Sequence, residues 1–171
     1  MKTKIIWFTG LSGSGKTTLS NQLYNYLKKK DSGFRIKVLD GDKFRKKNKK
    51  NFFSKKSIIK NNLEIINHIS TTIKKYDFIL VSVIAPLLKT RKIAKKKFKE
   101  NYYEINVRCP VDVLILRDTK NLYKLALAKK LKNLIGFNSY IKYEKSDYKV
   151  LTIKTNILSK KKSLDKIINY I

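Results

Sequence analysis

Lys4-Ile-Ile-Trp-Phe-Thr9, running straight into Gly10-Leu-Ser-Gly-Ser-Gly-Lys16-Thr17-Thr18, decides the fold of this chain. The first stretch is apolar and β-prone and reads as a buried strand. The second satisfies G-x-x-x-x-G-K-[ST]. Behind it, Leu19, Leu23, Tyr26 and Leu27 lay a helical stripe along Thr17 to Lys29. A strand, a glycine-rich turn and a helix in that order make a phosphate cradle. The glycines let the backbone wind tightly and turn its N–H groups towards an anion. The helix N-terminus adds partial positive charge. Lys16 is expected to reach the β- and γ-phosphates of a nucleotide, and the Thr17 hydroxyl to ligate Mg²⁺.

Outward from this loop, β-prone runs alternate with helical patterns. Strands are expected at Arg35–Leu39, Phe78–Val83, Tyr103–Val107 and Lys149–Ile153. Helices are expected over Ile58–Ile73 and Leu88–Phe98, from Val111, and over Leu164–Ile171. Alternation of this kind means parallel βαβ units. The expectation is one α/β domain over residues 1–171: a P-loop nucleotide-kinase fold, with a five-stranded parallel sheet and helices on both faces. Ligands bind beyond the carboxyl ends of such strands.

Composition narrows the classes further. The chain has 171 residues, with 41 Lys+Arg against 12 Asp+Glu and a net charge of +29. No run of roughly 18 apolar residues occurs, so no membrane span is expected. At 42% hydrophobic residues a core can form despite the charge. The basic residues fall in nearly every polar segment rather than on one stripe, and Ile and Asn are abundant too. The excess Lys therefore reads as background, and no specific nucleic acid is expected as a partner. A P-loop nucleic-acid-binding protein is the competing class. The single Cys109 excludes an internal disulfide, and Met1 to Gly10 shows no secretory pattern, which points to a cytoplasmic setting. His68 reads as a structural or surface histidine, and Cys109 as a small packing residue. The tyrosines, 102, 143 and 148 among them, read as packed rings with wet hydroxyls.

The chain is short for a motor or helicase, and Leu39-Asp40-Gly41-Asp42 with Arg45 follows the second strand. Carboxylates there can poise a hydroxyl and Mg²⁺, and an Arg close by can hold an anionic substrate. These features point to a small-molecule kinase.

At this level of detail the sequence resembles the adenylylsulfate (APS) kinase family, nearly end to end. Gly10 to Thr18 is close to the family's own P-loop wording. Leu39-Asp-Gly-Asp42 with Arg45 matches LDGDxxR, and Phe53-Ser54 matches its Gly-Phe-Ser. Val81-Ser-Val-Ile-Ala-Pro86 with Arg91 resembles VSxISPxxxxR. Arg117-Asp-Thr-Lys120-Asn-Leu-Tyr-Lys124-Leu-Ala126 resembles the lid motif RDxKGLYKKA, and Thr155 matches a late Thr. The resemblance implies transfer of the ATP γ-phosphate to the ribose 3′-hydroxyl of a nucleotide with a 5′ cap. It implies ATP-binding by Ser12, Gly13, Ser14, Gly15, Lys16, Thr17, Thr18, Arg117 and Lys120. It implies acceptor-binding by Asp42, Arg45, Phe53, Asn61, Ile84 and Lys120. Lys16 and Asp42 become the catalytic candidates, Thr17 the Mg²⁺ ligand, and residues 117–145 the lid. Arg91 is expected among the residues that handle phosphate-like groups, and Asp118 is expected to fix Arg117. The family also implies a homodimer and small nucleotide substrates.

Departures cluster on the acceptor side. Ile58 stands where the family has an Arg used on APS, Leu134 where it has an adenine-stacking Phe, and Ala85 where it has Ser. An intact donor side with a rewritten acceptor side suggests a changed acceptor, cytidine diphosphoramidate of capsular polysaccharide decoration foremost. The alternative is APS itself, as in sulfate assimilation.

Overall fold

A computed structural model describes residues 2–45 and 54–171, the side chains at 43 and 45 excepted. Its strands are β1 (Lys4–Thr9), β2 (Ile36–Asp40), β3 (Phe78–Val83), β4 (Tyr102–Arg108) and β5 (Leu151–Lys154). They pair in parallel in the order β2-β3-β1-β4-β5, with β1 at the centre. The helices are α1 (Lys16–Lys30), α2 (Gly41–Arg45), α3 (Lys55–Thr72), α4 (Leu88–Phe98), α5 (Val111–Arg117), α6 (Leu122–Leu127) and α7 (Lys160–Ile168).

Side chains alternate across a strand, so β1 supplies both layers of the core. Ile5 and Trp7 join Ile79 and Val81 beneath α3 (Ile65, Ile66, Ile69) and α4 (Ala94, Phe98). Ile6 and Phe8 join Leu80, Ile105 and Val107 beneath α1 (Leu19, Leu23, Leu27) and α7 (Ile167). Burial on both faces is why β1 reads as one unbroken apolar run. Each such buried side chain contributes about 1.5–3 kcal/mol, which lets the fold tolerate its self-repulsion. The lysines sit outside this core. Lys28, Lys29 and Lys30, for example, occupy the last turn of α1, at the negative end of its dipole.

Differences from the expected elements have local causes. Helix α3 starts at Lys55 because the Ser54 hydroxyl accepts from the Ser57 N–H at 3.2 Å. Helix α7 starts at Lys160, not Leu164, because Ser159 caps Lys162 in the same way, also at 3.2 Å. Strand β2 runs one residue further than expected, so Asp40 closes it. The short helices α2 and α6 are additions; five or six residues carry too little periodicity to be read. Helix α6 is entered through Asn121 at φ 55°, ψ 20°, in the left-handed region where Asn replaces the family's Gly at small cost.

Gly10 ties the cradle to the sheet. Its φ is +148°, and a Cβ there would overlap the backbone carbonyl oxygen of Val107. That carbonyl belongs to β4 and cannot retreat like a flexible side chain. Gly10→Ala is therefore expected to destabilise the fold by about 2–3 kcal/mol, read as a lower urea midpoint at unchanged m-value. An unshifted midpoint would mean that the loop simply moves aside.

Candidate active site

The carboxyl ends of β1, β2 and β3 open into one cleft, lined by Ser12, Lys16, Thr17, Asp40, Asp42, Ser82, Val83, Ile84 and Lys120. The loop after β1 enters α1 through Gly15, at φ +99°, a conformation that costs glycine little. Lys16 lies back along the loop, donating to the Leu11 carbonyl at 2.7 Å. The Thr17 hydroxyl donates to Asp40 Oδ2 at 3.1 Å. The other Asp40 oxygen accepts the Asp42 N–H at 2.8 Å, which turns the chain into α2. Asp42 in turn pairs with Lys120, which reaches across the cleft from the segment between α5 and α6.

The loop is braced from behind. Tyr123 donates to the Ser12 carbonyl at 3.1 Å, and burial pushes its hydroxyl pKa up to about 12, so the proton stays for that bond. The Thr155 hydroxyl donates to the Ser14 carbonyl at 2.9 Å. Arg117 donates to the Thr155 hydroxyl at 3.0 Å and its carbonyl at 2.8 Å. Arg117 is thus held by Thr155. Asp118, expected to fix Arg117, instead caps α6, accepting from the N–H groups of Tyr123 and Lys124 at 3.0 and 2.8 Å.

The structure brings Ser12, Lys16, Thr17, Asp42, Ile84 and Lys120 together in this cleft. Gly13, Ser14 and Gly15 form its loop, and Thr18 is exposed in the first turn of α1. Asn61 is half-buried on α3 and is not among the lining residues. Arg45 ends α2 with its side chain outside the described residues, and Phe53 lies outside them altogether. Ser82 was not foreseen. It stands between Asp40 and Phe8 in the sheet register, 3% exposed, and no described group hydrogen-bonds its hydroxyl. Its only signal in the sequence is a polar residue inside the apolar run of β3.

Three further expectations change. Arg91 is fully buried and bound to protein groups, so it does not face a phosphate. The hydroxyls of Tyr102 and Tyr148 are not wet but donate to Glu104, and that of Tyr143 meets Thr9. Leu134 is 1% exposed, packed with Leu114, Tyr123 and Ala126, and is closed off from any base in the cleft. Ile58 is buried as well, in an apolar cluster with Ile84, Leu87, Ile135 and Ile141.

The Thr17 hydroxyl and the Asp40 carboxylate are oxygen donors of the kind that suits Mg²⁺, which takes one or two protein ligands beside substrate phosphates. The adenylylsulphate kinase family model matches residues 2–154 of this chain. The chain belongs to the adenylylsulfate kinase family. The "Probable adenylyl-sulfate kinase" of Archaeoglobus fulgidus is 35% identical over 153 residues, 89% of this chain and 96% of that one. The adenylyl-sulfate kinase of Clostridium acetobutylicum is 30% identical over 171 residues, 99% of this chain and 84% of that one. Among solved structures, the Mycobacterium tuberculosis APS kinase CysC, in complex with AMPPNP and APS, superposes with a TM-score of 0.87. That match is at 27% identity and covers 99% and 97% of the two chains. As an APS-kinase-type protein the chain is an ATP-dependent nucleotide kinase, a phosphotransferase with an alcohol group as acceptor. No helix among its described residues is long and apolar enough to cross a membrane.

Proposed function

We propose that this APS-kinase-family member transfers the γ-phosphate of ATP to the 3′-hydroxyl of adenylylsulfate. The observation that carries the reading is the convergence of Lys16, Thr17, Asp42 and Lys120 on one cleft. Phosphoryl transfer asks the protein for position and charge neutralisation more than for covalent chemistry. The amides of Ser12 to Thr18 and the N-terminus of α1 hold the phosphates. Lys16 swings from the Leu11 carbonyl to the transferring group. Thr17, steadied by Asp40, would hold Mg²⁺, which when bound would neutralise negative charge on the phosphate oxygens. Asp42 accepts a hydrogen bond from the attacking hydroxyl and orients it. Lys120 leaves Asp42 for a substrate phosphate as residues 117–145 close as a lid, and Arg117 lies on the donor side. Closure keeps out water, the competing acceptor. Ile84, Arg45, Phe53 and Asn61 belong to the acceptor side.

The second reading is the changed acceptor, cytidine diphosphoramidate. Ile58 favours it, because an apolar cluster replaces a guanidinium there. Leu134 gives it no support, since that side chain packs inside the protein and leaves base size undetermined. The relatives named above are all adenylyl-sulfate or APS kinases, which favours APS.

One assay separates the acceptors. With ATP and Mg²⁺ but no nucleic acid, APS is expected to turn over with kcat/KM at least about tenfold above that of cytidine diphosphoramidate, a transition-state difference near 1.4 kcal/mol. The reverse ranking would make the changed acceptor correct. Activity that appeared only on adding DNA or RNA would move the chain to the nucleic-acid class.

A further inference from the structure

Arg91 lies in α4, fully buried, and its guanidinium is spent on protein groups. Nη1 donates to the Ala85 carbonyl and Nη2 to the Glu144 carbonyl, both at 2.5 Å. Nε sits 3.2 Å from Glu104, as an ion pair. The plane faces the Tyr143 ring, 5.1 Å from its centre. Glu104 also accepts from Tyr102, Ser146 and Tyr148, so its charge is fully compensated.

The far ends of this assembly converge on one turn. The Tyr143 hydroxyl meets the Thr9 hydroxyl at 2.8 Å, and Thr9 donates to the Ile84 carbonyl at 2.5 Å. The next carbonyl, Ala85, takes Arg91, and the next, Pro86, takes the Glu144 N–H at 2.9 Å. Glu144 Oε2 then accepts the Leu88 N–H at the start of α4. Consecutive carbonyls are thus pinned by one network that runs from the core out to Glu144, on a turn whose Ala85 stands at φ +40°. Such a conformation persists only where its surroundings over-determine it. The turn carries Ile84 into the cleft, and residues 143 and 144 end the segment that begins at Arg117.

We infer that Arg91 is a positioning residue: through Ala85, Tyr143 and Glu144 it sets the acceptor-side wall at Ile84 and anchors the end of the closing segment to that wall. The inference rests on the kinase reading above. It assigns Arg91 no contact with substrate.

The test uses Arg91→Lys, which keeps the charge beside Glu104 but loses the two-pronged fork, and Tyr143→Phe, which removes only the link to Thr9. The expected result is an acceptor KM raised about tenfold in R91K and about threefold in Y143F, with the KM for ATP within about twofold of wild type. Lower thermal stability with both KM values unmoved, or both KM values rising together, would overturn the inference. Should R91K fail to fold, Y143F decides by the same split. A second readout needs no acceptor. In either variant the Leu88 and Glu144 amides should exchange hydrogen about tenfold faster than in wild type. If no nucleotide acceptor turns over in wild type, the kinase reading fails alone, and unchanged protection at those amides is what would refute the positioning role.

Discussion

Lys16→Ala is expected to lower kcat by about a thousandfold or more while the protein stays folded. The bond that the Lys16 ammonium gives the Leu11 carbonyl is worth on the order of 1 kcal/mol, so losing that bond costs little stability. Its proposed work lies elsewhere, on charge that builds on the γ-phosphate oxygens as the bond to the leaving group lengthens. A cation placed there stabilises the transition state more than bound ATP, so the loss falls on kcat rather than on nucleotide affinity. Steady-state kinetics beside a thermal melt check it. A variant retaining more than about a tenth of wild-type kcat would remove Lys16 from the mechanism, because loss of a single charge-stabilising donor costs at least about a hundredfold. Lys16→Arg should not restore the rate, since the planar guanidinium cannot occupy the ammonium's point-like place in a tight loop.

Asp42→Asn is expected to cut kcat by about 10²–10³, with the KM for ATP little changed. Asn keeps the shape but loses the charge that aligns the attacking hydroxyl and that Lys120 pairs with across the cleft. Both effects act on the acceptor side. The backbone link that shapes this corner, Asp42 N–H to Asp40, survives the change. Single-turnover phosphotransfer with tightly bound ATP separates the chemistry from binding. Unchanged turnover would strip Asp42 of its role and leave the orientation of the attacking hydroxyl to other groups in the cleft.

The donor half of the site is legible in the sequence because it is local. Ser12, Lys16 and Thr17 lie within one motif, and the motif's flanking strand and helix dictate where its amides point. The order of strands and helices is legible for a similar reason: hydrophobic period reports burial directly. What fails is whatever depends on distant partners. Arg91 looks like an anion binder until Glu104, on the strand that follows its helix, is seen beside it in the core. Leu134 looks like a lost stacking residue, yet its environment comes from Leu114 and Tyr123, which no local pattern joins to it. Ser82 is silent because alternation says which face a strand residue takes, not what that face meets at its end. The serine caps went unread: hydrophobic period alone starts α3 at Ile58 and α7 at Leu164, whereas Ser54 and Ser159 start them earlier.

The contact between Gly10 and the Val107 carbonyl also bears on the order in which the molecule is made. Residues 10–18 leave the ribosome long before residues 102–108. Yet the cradle is seated on β4, and β1 gains its two neighbours only from residues 78–83 and 102–108. Parallel pairing of this kind waits for chain that has not yet been synthesised. A nascent chain therefore carries the phosphate loop without its seat until residues 102–108 have emerged.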